Sequence, residues 1–240
     1  MANLGNEYMI IGILQCGKVQ EKLALKHGQY PTMFNTLLKQ INPTFTYTTY
    51  DVESGMVPSN INACDAYIIT GSHHGVYDDL PWIPSLQMFV RKLHAADKKI
   101  VGVCFGHQLV AQALGGKVIK SPKGWGVGIS KSHIIQHKPW MIPKRDELNL
   151  IISHQDQVVD VPRGAEILAG NDFCPFYMTQ MGNTLTIQGH PEFSKAYAED
   201  VLEGRKAILD STLFKEALQS LGLEKDDAIV ARWIVNFINA

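Results

Sequence analysis

The chain turns from strand to helix within residues 99–116, which read KIVGVCFGHQLVAQALGG. An apolar run before Cys104 predicts a strand buried on both faces of a sheet, and the residues after it predict a helix that the final Gly-Gly pair ends. A side chain presented on so sharp a turn needs small neighbours, and Gly102 and Gly106 stand two residues before and after the cysteine. The pattern predicts a nucleophile elbow with sulfur as the attacking atom.

Strands and helices alternate on the N-terminal side of this turn. Apolar or β-branched runs predict strands at 8–14, 45–50 and 66–70, and helical spacing predicts helices that begin at Pro31 and Pro84. Strand, helix and strand at this spacing are typical of parallel βαβ units. The sequence therefore predicts an α/β fold with a doubly wound, mostly parallel sheet and flanking helices on both of its faces.

The C-terminal side of the turn has a different pattern. Short strand-like runs separated by turns predict a small antiparallel β extension, at residues 128–135, 148–153, 166–169, 176–180 and 184–188. Residues 194–240 predict a helical C-terminal tail in which Ser211 is a candidate cap. No linker interrupts the sequence, so we expect a single domain over residues 1–240, with its core at 8–192 and the tail as an extension.

Composition and charge exclude several classes of protein. The 240 residues include 22 basic and 23 acidic side chains, a net charge of −1, so no nucleic-acid partner is expected. No run approaches the roughly 18 apolar residues that cross a bilayer, so no membrane partner is expected. The first residues lack the basic region of a signal peptide, and the four cysteines have no C-x-x-C spacing. We therefore expect a cytoplasmic protein without a disulfide framework.

Cys104 is a candidate nucleophile because of its surroundings. The positive end of the following helix favours the reactive thiolate, and the backbone N–H of Phe105 points toward a substrate oxygen. Gln108 lies one helical turn further on, so its amide can share the face of the cysteine. The alternative is a structural cysteine packed in the core, which is the usual fate of a free cysteine. The strand before it and the helix after it favour the catalytic interpretation.

A cysteine nucleophile needs a base, and the chain offers nine histidines. His107 sits on the elbow helix, from which its ring cannot easily reach back over the sulfur. His154 and His190 both lie at the ends of predicted strands. Glu192 stands two residues after His190, and in extended backbone two such side chains project to the same side. His190 is therefore the favoured base by a modest margin, with a capping or core role as the alternative.

The elbow and the downstream motif His190-Pro191-Glu192 together resemble the class I glutamine amidotransferase family. The chain is most similar to free-standing members that resemble the glutaminase part of GMP synthase. The resemblance extends from the first strand to Glu192. It implies the α/β fold given above, hydrolysis of the γ-amide of glutamine, transfer of the ammonia to a synthase partner, and no cofactor.

The resemblance also implies a role for each matching residue. Cys104 would attack the amide carbon of glutamine, His190 would act as base and acid, and Glu192 would orient the imidazole. Hydrolysis would proceed through a glutamyl thioester. The α-amino and α-carboxylate groups of the γ-glutamyl moiety would be bound by Gln108, Ser153, Gln155 and Asp156.

The loop that completes the oxyanion hole departs from the family pattern. The resemblance implies that backbone N–H groups of Phe105 and of the Gly71-Ser72 turn hold the oxyanion. Members similar to GMP synthase carry Gly-Gly-Pro in this loop, whereas residues 70–75 of this chain read TGSHHG. The segment that follows resembles stand-alone members, among them plant γ-glutamyl peptidases. A self-sufficient γ-glutamyl peptidase is therefore one alternative, and a catalytically silent binding or regulatory subunit is another.

His73 and His74 in this loop raise the question of a metal ion. Two histidines adjacent in sequence are expected to point in different directions, so a loop role is favoured over metal binding. His133 and His137 have i, i+4 spacing, but they lie in a predicted strand and at its end. We therefore expect no metal site.

Overall fold

The structure is a computed structural model and describes residues 8–240, which form eleven strands and seven helices. The strands are β1 (Ile10–Gln15), β2 (Thr46–Asp51), β3 (Ala66–Ile69), β4 (Lys99–Val103), β5 (Lys117–Lys120), β6 (Gly126–Ile134), β7 (Glu147–His154), β8 (Asp156–Asp160), β9 (Glu166–Gly170), β10 (Met178–Met181) and β11 (Thr184–Ile187). The helices are α1 (Glu21–His27), α2 (Tyr30–Lys39), α3 (Trp82–Ala95), α4 (Phe105–Ala113), α5 (Lys195–Arg205), α6 (Ser211–Ser220) and α7 (Asp227–Asn239). None of the helices in this part of the chain is long and apolar enough to cross a membrane.

Nine of the strands form one sheet, in the order β2-β1-β3-β4-β11-β10-β9-β6-β7. The first five are parallel to one another, and the remaining pairs are antiparallel. β11 joins the two parts, because it pairs in parallel with β4 and antiparallel with β10. β5 and β8 form a separate antiparallel ribbon. The predicted α/β fold is therefore confirmed.

Helices cover both faces of the sheet, as expected of a doubly wound fold. α2 and α7 pack on one face, against strand side chains such as Ile13 and Ile68. α3 and α4 pack on the other face, against Leu14 and Ile69. Successive residues of one strand thus contribute to different clusters, because strand side chains alternate between faces. The carboxyl ends of β1, β3 and β4 meet at the same edge, where ligand sites of such folds form.

Some local features differ from the predictions. The sequence does not predict α1, because none of the residues Glu21–His27 is buried and no side chain caps the start of this helix. The predicted cap at Ser211 is wrong, since Ser211 is already the first residue of α6. The cap is Asp210, whose carboxylate accepts hydrogen bonds from the backbone N–H groups of Thr212 and Leu213 at 2.8 and 3.2 Å.

Candidate active site

Cys104 lies between β4 and α4 with a strained backbone. Its φ of 53° and ψ of −103° belong to a region that L-residues other than glycine rarely adopt. A Cβ on Gly102 would lie 2.5 Å from the carbonyl oxygen of Gly106, and one on Gly106 would lie 2.3 Å from that of Ile69. Only glycines fit at these two positions, so the structure has the predicted elbow with the cysteine at its tip.

His190 follows β11 and is held on several sides. Its Nδ1 donates a 2.8 Å hydrogen bond to Oε1 of Glu192, whose side chain is fully buried. Its backbone N–H donates to the carbonyl of Ile151 at 2.8 Å. The Phe193 ring stacks on the imidazole with the two centroids 3.8 Å apart. These contacts fix the ring and leave Nε2 available for proton transfer.

The charges around His190 favour its protonated form. Burial alone would lower the pKa of His190, but the Glu192 carboxylate and the Cys104 sulfur outweigh burial and raise that pKa to about 10. An imidazolium beside a thiolate is the form in which a cysteine is a ready nucleophile.

The other three cysteines have a different environment. Burial raises the pKa of the thiols of Cys16, Cys64 and Cys174, to about 12 for Cys174. These thiols stay protonated at neutral pH and are poor nucleophiles.

Cys104 and His190 face one cavity of about 700 Å³. Gly71 shows how close they are, since a Cβ on it would lie 3.1 Å from Cε1 of His190 and 3.9 Å from Cβ of Cys104. A larger residue would therefore crowd both side chains. The volume lies within the range of about 300–1,000 Å³ that is typical of ligand pockets.

The residues predicted to form the oxyanion hole lie on either side of Cys104. Phe105 is the first residue of α4, so its N–H has no acceptor within the helix. Ser72 lines the cavity. A Cβ on Gly17 would lie 3.1 Å from the Cα of Ser72, so the segment after β1 packs closely against the loop after β3. The helix start and this loop can therefore both present N–H groups to a substrate oxygen.

Of the four residues predicted to bind the γ-glutamyl moiety, only Ser153 is at the cavity. Gln108 is buried, and its Nε2 donates to the backbone carbonyl of Asp156 at 2.8 Å and to Oε1 of Gln188 at 3.1 Å. Gln155 is the one residue between β7 and β8, and Asp156 is the first residue of β8. The structure thus brings Ser153 to Cys104 and His190, and places Gln108 and Asp156 in a separate hydrogen-bonded group.

His107 and His154, the other histidines considered as bases, are buried and neutral. Burial is the main cause that lowers their pKa values, to about 3 for His107 and about 4 for His154. Nδ1 of His107 bonds to Oγ1 of Thr186 at 2.7 Å, and Nδ1 of His154 bonds to the carbonyl of Asp156 at 3.0 Å. These contacts indicate structural roles, whereas His190 shares a cavity with Cys104.

Arg205, at the end of α5, lines the same cavity and is not singled out by the sequence. Its guanidinium donates a hydrogen bond to the Ser153 hydroxyl and lies 4.6 Å from the centre of the Trp125 ring. Burial lowers the pKa of Arg205, yet a guanidinium remains charged in proteins. No local motif marks this residue, because only the tertiary fold brings α5 to the cavity.

A cluster of possible metal ligands lies at the same edge of the sheet. Glu53, His73 and His74 each place one ligand atom within 4.8 Å of the others. The ring centroids of the two histidines are 3.9 Å apart. The expectation that these rings point in different directions is therefore wrong, because the loop after β3 is not extended backbone.

This chain is similar to known proteins in sequence and in fold. The family model for glutamine amidotransferase class-I matches residues 35–205. A glutamine amidotransferase-like protein of Schizosaccharomyces pombe is 33% identical over 95% of this chain and 98% of its own length. Gamma-glutamyl peptidase 4 of Arabidopsis thaliana is 31% identical over 74% of this chain and 73% of its own. A glutamine amidotransferase structure from Thermotoga maritima, 14% identical, matches the fold with a TM-score of 0.78 over 98% of this chain and 100% of that one.

The chain therefore belongs to the class I glutamine amidotransferase family and is an enzyme of that family. The resemblance carried by the elbow and the His-Pro-Glu motif is confirmed.

Proposed function

We propose that this enzyme hydrolyses a γ-glutamyl amide bond by covalent catalysis at Cys104. The observation that carries the proposal is that His190, hydrogen-bonded to the buried Glu192, faces the same cavity as the elbow cysteine. A nucleophile, a base and a carboxylate that orients the base are the parts from which cysteine and serine hydrolases are built. Membership of the family supports the same reaction.

The reaction would proceed in two halves. The Cys104 thiolate attacks the carbonyl carbon, and the oxyanion accepts hydrogen bonds from the N–H groups of Phe105 and Ser72. His190 gives its proton to the leaving nitrogen as the C–N bond breaks, which leaves a glutamyl thioester and a neutral imidazole. His190 then takes a proton from a water molecule that attacks the thioester. Glutamate leaves, and the thiolate and imidazolium are restored.

We assign the α-carboxylate of the γ-glutamyl group to Arg205 and Ser153. A guanidinium binds a carboxylate through two parallel hydrogen bonds, and Ser153 already positions that guanidinium. Gln108 is engaged with Asp156 and Gln188. We therefore propose that Gln108 holds Asp156 and Gln188 in place and does not contact the substrate.

Glutamine is the smallest substrate of this class, and its leaving group is ammonia. In that case the ammonia would pass to an acceptor bound by a synthase partner. The steps above need no cofactor. A nucleophilic thiol also requires reducing conditions, so we propose that the enzyme acts in the cytoplasm.

A γ-glutamyl peptide is the second candidate, and the size of the cavity favours it. A space of about 700 Å³ is far larger than glutamine needs. Its lining includes Lys18, Lys22 and Lys26, whose charges can attract the carboxylate of a peptide leaving group. Lys18 and Lys26 are paired with Asp51 and Asp200 at 2.7 Å, so Lys22 is the best placed of the three.

Parallel assays with glutamine and glutathione test the proposal, with glutamate, ammonia and cysteinylglycine as readouts. We expect glutamate release that is lost in Cys104→Ala and kept in Cys64→Ala, which removes a thiol outside the cavity. Ammonia would identify an amidase, and cysteinylglycine would identify a peptidase. No turnover of either substrate, with no labelling of Cys104 by the glutamine-like electrophile diazo-oxo-norleucine, would indicate a silent binding or regulatory subunit and overturn the proposal.

A further inference from the structure

A second group of residues with its own chemistry lies at the edge of the active-site cavity. Glu53 follows β2, and His73 and His74 follow β3, so the carboxyl ends of two parallel strands bring these side chains together. One ligand atom from each lies within 4.8 Å of the other two. His73 also lines the cavity that holds Cys104.

The distance between His74 and Glu53 is close to that between two ligands of a tetrahedral metal ion. Nε2 of His74 lies 3.2 Å from Oε1 of Glu53. Two ligands of a tetrahedral zinc ion, each about 2.0–2.2 Å from the metal, are separated by about 3.3–3.6 Å. His73 is exposed, so a change of its rotamer can bring the third ligand atom closer.

Asp78 provides a second, independent observation. Its Oδ2 lies 3.5 Å from Nδ1 of His74, the ring nitrogen opposite the one that faces Glu53. A metal-ligating histidine almost always donates its other N–H to a carboxylate, carbonyl or water, which fixes the tautomer and raises the basicity of the ligand. The same Asp78 oxygen accepts a 2.9 Å hydrogen bond from the backbone N–H of Gly75, so the loop itself positions this carboxylate.

We propose that Glu53, His73 and His74 bind a divalent transition-metal ion of the zinc class, with a fourth position open to water. Imidazole ligands suit Zn²⁺, whereas Ca²⁺ and Mg²⁺ prefer sites built from oxygen atoms. The ion would tie the end of β2 to the loop that carries Ser72. The binding site stands independently of the chemistry assigned to Cys104. The competing interpretation is an ordinary ion pair between protonated His74 and Glu53.

Calorimetric titration of the full chain with Zn²⁺ at neutral pH tests this site. We expect one equivalent to bind, and His73→Gln, His74→Gln and Glu53→Gln each to weaken binding at least tenfold. Titration with Co²⁺ is a second readout, because a tetrahedral site of nitrogen and oxygen ligands gives visible d–d bands without a thiolate charge-transfer band.

His133→Gln is the matched control, since His133 also lies beside a carboxylate, Glu147, at 3.4 Å on an exposed strand pair. We expect this variant to bind Zn²⁺ like the wild type. Absence of binding, unchanged affinity in the cluster variants, or a thiolate band that disappears in Cys104→Ser would overturn the proposal. His73→Gln keeps the test decisive if the other variants fold poorly, because His73 lies outside the ion pair of His74 and Glu53.

Discussion

The pKa of His190 depends on the buried carboxylate of Glu192 and on the candidate nucleophile Cys104. Burial disfavours the charged ring, yet Glu192 and Cys104 raise the pKa of His190 from 6.5 to about 10. The imidazole therefore keeps its proton as the pH rises through the range in which an ordinary histidine loses it. Since the proposed reaction needs that proton for the leaving nitrogen, activity should persist to alkaline pH.

Glu192→Gln should lower the pKa of His190, because the amide has a similar size but no charge. The alkaline limb of the pH profile of kcat/KM should then move to lower pH. At neutral pH we expect kcat/KM to fall roughly 10- to 100-fold, the usual effect of losing a group that orients another. A profile measured for both proteins checks the shift, and an unmoved alkaline limb would contradict the role given to Glu192.

His190→Asn should lower kcat on the order of 10³-fold or more, because the thiol loses its activating base and the leaving nitrogen loses its proton donor. His107→Asn and His154→Asn are the controls, since both rings are buried and neutral. We expect these two variants to lose stability more than turnover. Steady-state kinetics at equal concentrations of folded enzyme measure kcat for the three variants. An equal loss of kcat in all three would show that the assignment of His190 as the base is wrong.

Arg205→Gln should raise KM by about 10- to 100-fold with a smaller effect on kcat, because a charge-assisted hydrogen bond contributes about 1.5–3 kcal/mol. Lys206→Gln is the matched control. It changes the neighbouring cation, whose Nζ lies 5.1 Å from the centre of the Phe214 ring. Substrate saturation curves for both variants measure the difference, and a wild-type KM in Arg205→Gln would exclude it from substrate binding.

The elbow between β4 and α4 is the element with the least room for change. Gly106→Ala should destabilise the fold by about 1–3 kcal/mol, because its Cβ would lie 2.3 Å from the Ile69 carbonyl oxygen. Gly204→Ala makes the same change in α5, where the added Cβ has no neighbour within 4 Å among residues 8–240 apart from adjacent residues and the backbone of its own helix. It should be neutral or stabilising by up to about 1 kcal/mol. Urea unfolding of both variants compares the two free energies, and similar values would refute the steric argument.

Elements buried against the sheet are the ones that the sequence predicts well. β4 and α4 could be located because an apolar strand leads to Cys104, and Gly102 and Gly106 flank the cysteine two residues away on either side. α1 could not, because none of the residues Glu21–His27 is buried and the helix has no apolar stripe. The β5–β8 ribbon pairs two short segments that are distant in sequence, and no local pattern records such a pairing.

Two buried histidines make the stability of the whole molecule sensitive to acid. Burial lowers the pKa of His107 to about 3 and that of His154 to about 4, while both are near 6.5 in an unfolded chain. Below pH 6.5 the unfolded chain therefore binds protons that the folded chain does not. Stability should fall with decreasing pH until the pH reaches the lowered values.

Between pH 6.5 and 4 we expect each of these histidines to remove about 3 kcal/mol from the free energy of unfolding. Urea denaturation at a series of pH values measures how steeply the free energy of unfolding falls with decreasing pH. His107→Gln and His154→Gln should flatten this slope, whereas the exposed His133→Gln should leave it unchanged. If the wild type and the three variants have the same slope, the acid sensitivity comes from groups other than His107 and His154.

The candidate site is only partly visible in the sequence because its walls come from distant parts of the molecule. Glu192 could be predicted beside His190 from their separation of two residues, although residues 191 and 192 form a turn and not the extended backbone that the prediction assumed. Arg205 and Glu53 could not be predicted, because each reaches the site through a different element. The conformation of His73 depends on the loop after β3, which sequence spacing does not specify.

The Phe193 ring lines the cavity and stacks on His190, so it is part of the reaction centre. On the α1 side of the cavity, Lys22 and Lys26 belong to neither this stack nor the elbow, so this wall can vary while proton transfer stays intact. A library of substitutions confined to that wall would therefore sample new leaving groups on an unaltered cleavage apparatus. This division makes the protein a practical scaffold for the directed evolution of amide-cleaving catalysts.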